Sequence, residues 1–297
     1  MREREAGRTT SFRSVAGLML IPVAGLLVLL LVSYLRGGSV PDETLREITT
    51  TVISSSAPRQ PAVEAEALPK VTPKKLVEKR AGDIVLIIDD LGFQGQPIDR
   101  VMALDPNINA SILPNGNDVA GTAKRFNARG FEVLCHLPME PLGSASPGRG
   151  AILTSMSDDE IARLTRESIS AVPHARGVNN HMGSRATADR RVMQTVLGAI
   201  PGHMYFIDSK TSGQSIAFAV AKEMNVRSAS RDVFLDDVQS EAAVRKQLAM
   251  LADEAHEHGR AIGIGHPYAV TMRVLADELP NLRARGFRFV RASEVVR

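Results

Sequence analysis

The chain has 297 residues, enough for one large domain or two small ones, and a formal net charge of +3 at pH 7. The basic surplus sits at the N-terminus: residues 1–82 hold 12 of the 36 basic and 8 of the 33 acidic residues, which leaves 24 and 25 for the remainder. That near-neutral remainder lacks the basic face that DNA or RNA binding requires, and the single cysteine, Cys135, excludes an intramolecular disulfide, so the domain must hold together through its core.

Residues 1–14 carry Arg2, Arg4, Arg8 and Arg13 and precede an uncharged apolar run over residues 15–35. About 20 apolar residues span a bilayer, and the flanking arginines keep the N-terminus cytoplasmic. A single-pass anchor in the inner membrane is therefore expected, with everything after it exported. A cleaved signal peptide is the rival, against which stand the length of the run and the unsuitable Arg36-Gly37-Gly38 that follows it. Residues 36–82, rich in Pro, Ala, Glu, Lys, Ser and Thr, read as a flexible linker.

From residue 83 to 297 short apolar runs alternate with helix-length amphipathic stretches. The first run, residues 84–88, is Ile-Val-Leu-Ile-Ile, a strand buried on both faces as in a parallel sheet. It ends in Asp89-Asp90. Adjacent strand residues point to opposite sides, so both carboxylates can share a site only if the chain turns at once, which Leu91-Gly92 permits. Further strands are expected over residues 108–112, 132–136, 177–179, 205–208, 226–229, 261–265 and 287–290. Helices are expected over residues 161–171, opened by the capping box Ser157 and Glu160, and over 188–199, 215–224 and 240–258, the last stopped by Gly259. Seven or eight such alternations in one domain fit a (β/α) barrel better than an open sheet, although periodicity alone does not decide between them.

In such a barrel the site is assembled at the C-terminal ends of the strands. That rule collects Asp89 and Asp90 after the first strand, His136 with Glu140 after the third, His181 after the fourth, Asp208 after the fifth and His266 after the seventh. Cys135 lies in an apolar run and reads as a buried, inert thiol. His174, His203, His256 and His258 fall in helical or loop positions and read as solvated.

The segments Ile87-Ile88-Asp89-Asp90-Leu91-Gly92, His136-Leu137-Pro138-Met139-Glu140-Pro141, Asn179-Asn180-His181-Met182-Gly183-Ser184, Phe206-Ile207-Asp208-Ser209, Arg231-Asp232-Val233-Phe234-Leu235-Asp236 and Gly265-His266-Pro267 together resemble the divergent polysaccharide deacetylase (YibQ-like) family. The resemblance covers residues 83–297. It implies the NodB-homology fold of carbohydrate esterases, a distorted (β/α) barrel that uses one divalent metal, zinc before others, to remove acetyl groups from glycans. Carried over motif by motif, Asp89 resembles the general base, Asp90 a metal ligand and His136 the first histidine of a His-x-x-x-His metal motif whose second histidine is replaced by Glu140. His266 resembles the acid that protonates the leaving group, and Asp208 its orienting partner. The place of the superfamily's third-motif arginine reads Asn179-Asn180-His181, and the usual tryptophan is missing because the chain has none. Asp90, His136 and His181, with Glu140 as a fourth candidate, would then hold the metal, and Asn179, Asn180 and Ser184 would face the substrate. The expected partner is an acetylated, peptidoglycan-like polysaccharide. A glycan-binding or scaffolding protein that has lost turnover is the alternative, and a metal phosphoesterase is disfavoured because no phosphate-cradling glycine loop is present.

Overall fold

The computed structural model describes residues 80–297. The N-terminal 14 residues, the expected anchor over 15–35 and the expected linker up to residue 79 lie outside the described residues. Among the described residues no helix is long and apolar enough to cross a membrane.

The elements follow in the order β1 (Gly82–Leu91), α1 (Ile98–Met102), β2 (Asn109–Ile112), α2 (Val119–Ala128), β3 (Glu132–Met139), α3 (Asp158–Ala171), β4 (Ala175–Met182), α4 (Arg190–Ala199), β5 (Tyr205–Asp208), α5 (Ala217–Glu223), β6 (Ser228–Ser230), β7 (Val233–Phe234), α6 (Glu241–His258), β8 (Arg260–Gly265), α7 (Ala269–Ala284) and β9 (Phe287–Phe289). Local chemistry sets the helix ends as the sequence predicts. Ser157 and Glu160 close a reciprocal capping box on α3, Ser240 caps α6, and Gly259 at φ 78° ends it in the left-handed conformation.

All ladders are parallel, in the order β6-β5-β4-β3-β2-β1-β8-β7, with β9 paired to the start of β1. The sheet curls but does not close as the expected barrel would. β6 and β7 stand at its two ends and are joined only by Arg231 and Asp232, whereas pairing two parallel strands needs a crossover of a dozen or more residues. The seam is instead crossed by one extended run, which ladders first with β5 through Phe206, Ile207 and Asp208 and then with β8 through Gly263 and Ile264.

The curl has two core layers. Val85, Ile87, Leu134, Tyr205, Ile207, Ile262 and Ile264 point inward and meet Val290, Ala292, Val295 and Val296 of the C-terminal segment. Ile84, Leu86, Ile88, Val133, Cys135, Leu137 and Phe206 point outward into the helix layer. Burial of each such aliphatic side chain contributes about 1.5–3 kcal/mol. The period-two alternation decides which residues reach the site, because continuing the inward series past the apolar positions gives Asp89, His136, Ser209 and His266.

Candidate active site

The C-terminal mouth of the curl holds a cavity of about 440 Å³ whose lining includes Asp89, Asp90, His136, His181, Arg231 and His266. A cavity of similar volume, about 450 Å³, lies between α1 and α7 among Leu104, Leu279, Pro280 and three arginines, with no carboxylate or histidine in its wall. The carboxylates and histidines are in the first.

Asp89 and Asp90 reach one site by a route the sequence did not show. β1 does not turn after them but continues to Leu91, and its register against β2 shifts between Ile88 and Leu91. That shift is a bulge, which re-aims a side chain within a strand. Asp90 takes φ 60° there, a left-handed conformation that aspartate tolerates better than most residues. Asp89 keeps the inward direction, 3% exposed, and Asp90 is swung round beside it.

Asp90, His136 and His181 converge. The Asp90 Oδ1 atom is 3.2 Å from His136 Nε2 and 2.9 Å from His181 Nδ1, and the two imidazole nitrogens are 3.2 Å apart. Donor atoms about 2.0–2.1 Å from a tetrahedral zinc lie about 3.3 Å from one another, so this triangle has the size a zinc ion needs. Asp90 Oδ1 is moreover buried without a hydrogen-bond partner, a costly state that a coordinated cation relieves. The donor set, two imidazoles and one carboxylate, is one that zinc accepts. On these grounds the residues fit a divalent metal. Burial opposes ionisation of Asp90, but the close approach and charge of the His136 and His181 rings outweigh it and hold its carboxyl well below the usual range. Burial likewise opposes protonation of His136, and Asp89 and Asp90 outweigh it, so its pKa is raised.

His181 lies opposite Pro138 in the β3–β4 register, two places beyond the pair His136 and Asn179. It is followed by Met182 at φ 52°, whose carbonyl accepts hydrogen bonds from Asn180 Nδ2 and Thr211 Oγ1. Left-handed non-glycine backbone therefore stands both within the triangle, at Asp90, and next to it, at Met182, each conformation costing of order 1–3 kcal/mol that surrounding bonds must hold.

His266 stands apart from the triangle, its Nε2 3.7 Å from Asp90 Oδ2. Its ring lies between Phe234 and Tyr268, with centroids 5.5 and 5.3 Å away, and its Nδ1 is 2.9 Å from Asp236 Oδ1. Burial works against protonation, but that hydrogen bond and the charges of Asp89, Asp236 and Asp90 outweigh it and raise the His266 pKa to about 9.

Three expected roles are corrected by the geometry. Asp208 does not orient His266. It falls on the outward parity of β5, where its carboxylate accepts from Lys210 N–H, Ser215 Oγ–H and Phe218 N–H at the entry to α5, and Asp236 holds His266 in its stead. Glu140 does not join the triangle. β3 runs on through Met139 and bridges to Ile152, so Glu140 lies four extended residues, about 13 Å of strand, beyond His136. Its Oε2 accepts from Thr154 N–H and Oγ1–H, each at 2.6 Å, and Arg185 Nε is 3.3 Å from Oε1. Asn179 does not face substrate, being wholly buried with its amide engaged by four side chains. Asn180 and Ser184 do border the cavity, Ser184 accepting from Leu142 N–H and Asn180 from Ser209 N–H.

Sequence reasoning assigned no role to Asp236, Ser111, Ser209, Arg231, Phe234 or Tyr268. Arg231 donates to the carbonyls of Ser209 and Lys210 and lies over the Phe234 ring, sealing the seam beside the cavity. Cys135 is buried, and burial pushes its thiol far above the usual range, as expected of an inert residue. His174, His203, His256 and His258 are exposed.

The chain belongs to the divergent polysaccharide deacetylase family, whose model matches residues 86–296. It is 38% identical over 203 residues to the uncharacterized protein YibQ of Escherichia coli K12, a match that covers 68% of this chain and 64% of that one. It is 34% identical over 200 residues to an uncharacterized protein of Haemophilus influenzae, covering 67% of this chain and 71% of the relative. Among solved structures, an uncharacterized protein of Agrobacterium tumefaciens C58 shares the fold with a TM-score of 0.70 at 23% identity, over 74% of this chain and 91% of its own.

Proposed function

We propose that the domain over residues 83–297 is a metal-dependent deacetylase of acetylated cell-envelope polysaccharide, tethered at the inner membrane by residues 15–35. The observation that carries this is the triangle of Asp90, His136 and His181, with the buried carboxylate of Asp89 and the histidine His266 close beside it. The family's description supplies the substrate class. A divalent ion held by the three residues, zinc by its donor set, would make a water nucleophilic near neutral pH and polarise the acetyl carbonyl.

The chain's own residues supply the proton transfers. Asp89 Oδ2, 3.5 Å from His136 Nε2, takes a proton from the attacking water as its oxygen bonds to the acetyl carbon. His266, its Nδ1 held by the Asp236 carboxylate at 2.9 Å, gives its Nε2 proton to the departing amine nitrogen as the carbon–nitrogen bond breaks. Asp236 fixes the ring for that transfer and stabilises its charge, and Phe234 and Tyr268 keep water from its faces. Acetate and the free amino sugar leave, and the proton on Asp89 returns to solvent as His266 is reprotonated.

The test is acetate release from an acetylated aminosugar polymer by the zinc-loaded protein, beside Asp89→Asn and His266→Ala. Release by the wild type that both substitutions abolish, with zinc content unchanged, supports the proposal. Stoichiometric zinc with no release from any acetylated glycan favours the alternative, a binding or scaffolding protein, to which the removal of Glu140 from the metal triangle lends weight. The tether is tested separately, by whether the full chain stays with the inner membrane through alkaline carbonate.

A further inference from the structure

We propose that Asn179 is a positioning residue that fixes the proton of the His136 ring on Nδ1, so that the bare Nε2 faces the metal triangle, and ties that ring to Asp89 through one amide. The inference rests on the metal reading of the site. Asn179 sits on the inward face of β4, opposite His136 in the register with β3, and is fully buried.

All four hydrogen-bonding positions of its amide are used. Nδ2 donates to Asp89 Oδ1 at 2.9 Å and to Ser209 Oγ at 3.2 Å. Oδ1 accepts from Ser111 Oγ–H at 2.7 Å and lies 3.1 Å from His136 Nδ1. Which end of an amide is which must follow from its partners, and here one partner decides. A carboxylate accepts and cannot donate, so the NH₂ end faces Asp89. The reversed amide would set its oxygen against Asp89 at 2.9 Å, two acceptors in contact inside a buried site, where an unmade bond costs most.

Once the amide is fixed the imidazole follows. The group facing His136 Nδ1 is an oxygen with no hydrogen, so Nδ1 carries the proton. In the neutral ring Nε2 is then the lone-pair nitrogen, and Nε2 is the atom 3.2 Å from both Asp90 Oδ1 and His181 Nδ1. A metal-binding histidine is commonly set in this way by the partner of its other nitrogen, and loss of that partner weakens metal affinity about 10–100-fold. The unusual element here is a neutral amide that serves the ligand and the proposed base at once, so neither can move without the other.

The wild-type protein itself provides a test that needs no variant. Full-length protein with ¹⁵N-histidine, stripped of metal by chelator and held at alkaline pH so that the ring is neutral, should give the two-bond ¹⁵N–¹H pattern of an Nδ1-protonated ring. The His136 signals are assigned by their loss in His136→Gln. An Nε2-protonated pattern, or a mixture of the two, overturns the proposal. Titration with zinc alone, read by competition with a chromophoric chelator, should show binding weakened about 10–100-fold in Asn179→Leu. Asn179→Asp keeps an oxygen for Nδ1–H while losing the donor to Asp89, and should retain the wild-type ring pattern. Unchanged zinc affinity in a folded Asn179→Leu, or loss of the ring pattern in a folded Asn179→Asp, overturns it as well. If the wild type shows the Nδ1-protonated pattern but binds no zinc, the metal reading fails and the ring assignment stands, so the two failures are distinct.

Discussion

Replacing Asp236 by asparagine isolates what sets the protonation of His266. The Asp236 side chain is wholly buried. Its Oδ2 accepts from His266 N–H at 2.7 Å and Thr271 Oγ1–H at 2.8 Å, while Oδ1 faces His266 Nδ1 at 2.9 Å. In metal-free protein these contacts and the nearby charges of Asp89 and Asp90 overcome burial and raise the pKa to about 9. A hydrogen bond to a charged group contributes about 1.5–3 kcal/mol, and one pKa unit corresponds to about 1.4 kcal/mol. Asp236→Asn should therefore lower the pKa by about 1–2 units, to roughly 7–8. Stability follows the same linkage. A group raised from about 6.5 to about 9 on folding stabilises fully below pH ~6.5 and loses that contribution as pH rises through ~9, a change of order 3 kcal/mol. In the variant the loss should be about 1–2 kcal/mol and complete by roughly pH 9, about one unit above the lowered pKa. The assay is an NMR titration of the His266 ring with urea melts from acid to alkaline pH, both on chelator-treated protein, since a cation at Asp90 would cancel part of the carboxylate charge. Asp208→Asn is the control and should leave His266 unmoved. A His266 that titrates near 6.5 in the wild type, or that responds to Asp208 and not to Asp236, refutes the reasoning.

Changing Asp90, His136 or His181 to alanine should each remove stoichiometric zinc, measured by metal analysis after dialysis, whereas Asp89→Asn and His266→Ala should retain it; retention by any of the first three breaks the triangle. Glu140→Gln should leave zinc affinity as in the wild type and cost about 1 kcal/mol of stability through its bonds to Thr154, so a sharp fall in zinc affinity would restore Glu140 as a ligand. Gly177→Ala would set a Cβ 2.3 Å from the Tyr205 ring and strain the Tyr205 hydrogen bond to Glu132; overpacking of this kind costs about 1–3 kcal/mol, and an unchanged melting temperature would show that the inner layer is looser than drawn.

The apolar runs made eight of the nine strands legible, because strands buried on both faces are short, continuous and bounded by polar residues. The ninth, Val233–Phe234, has two residues and no pattern to detect. Its omission propagated into the site. With no strand there, Asp236 had no strand end to stand on, and the orienting role that the resemblance implies was carried onto Asp208, which does end a strand. Parity could have corrected this: Tyr205 and Ile207 face inward, so Asp208 must face the helices.

Convergence at strand ends collected Asp90, His136 and His181, which the structure does bring together, but the means of convergence lay below what pattern reveals. A bulge is a register difference between two strands, and neither strand's sequence contains it alone. The turn expected at Leu91-Gly92 is not what unites the two carboxylates: the bulge leaves β1 paired through Leu91 and brings Asp90 inward at the cost of a left-handed backbone. Glu140 illustrates the reverse. A four-residue spacing joins two ligands on a helical turn and separates them along a strand, so the spacing in His136-Leu137-Pro138-Met139-Glu140 had no meaning until the extension of β3 was known. The third side chain of the triangle then comes from the neighbouring strand, where His181 stands opposite Pro138. Were these three residues to hold a zinc ion, as proposed, they would leave a position open to water or substrate, which is the arrangement that distinguishes a catalytic zinc site from a structural one.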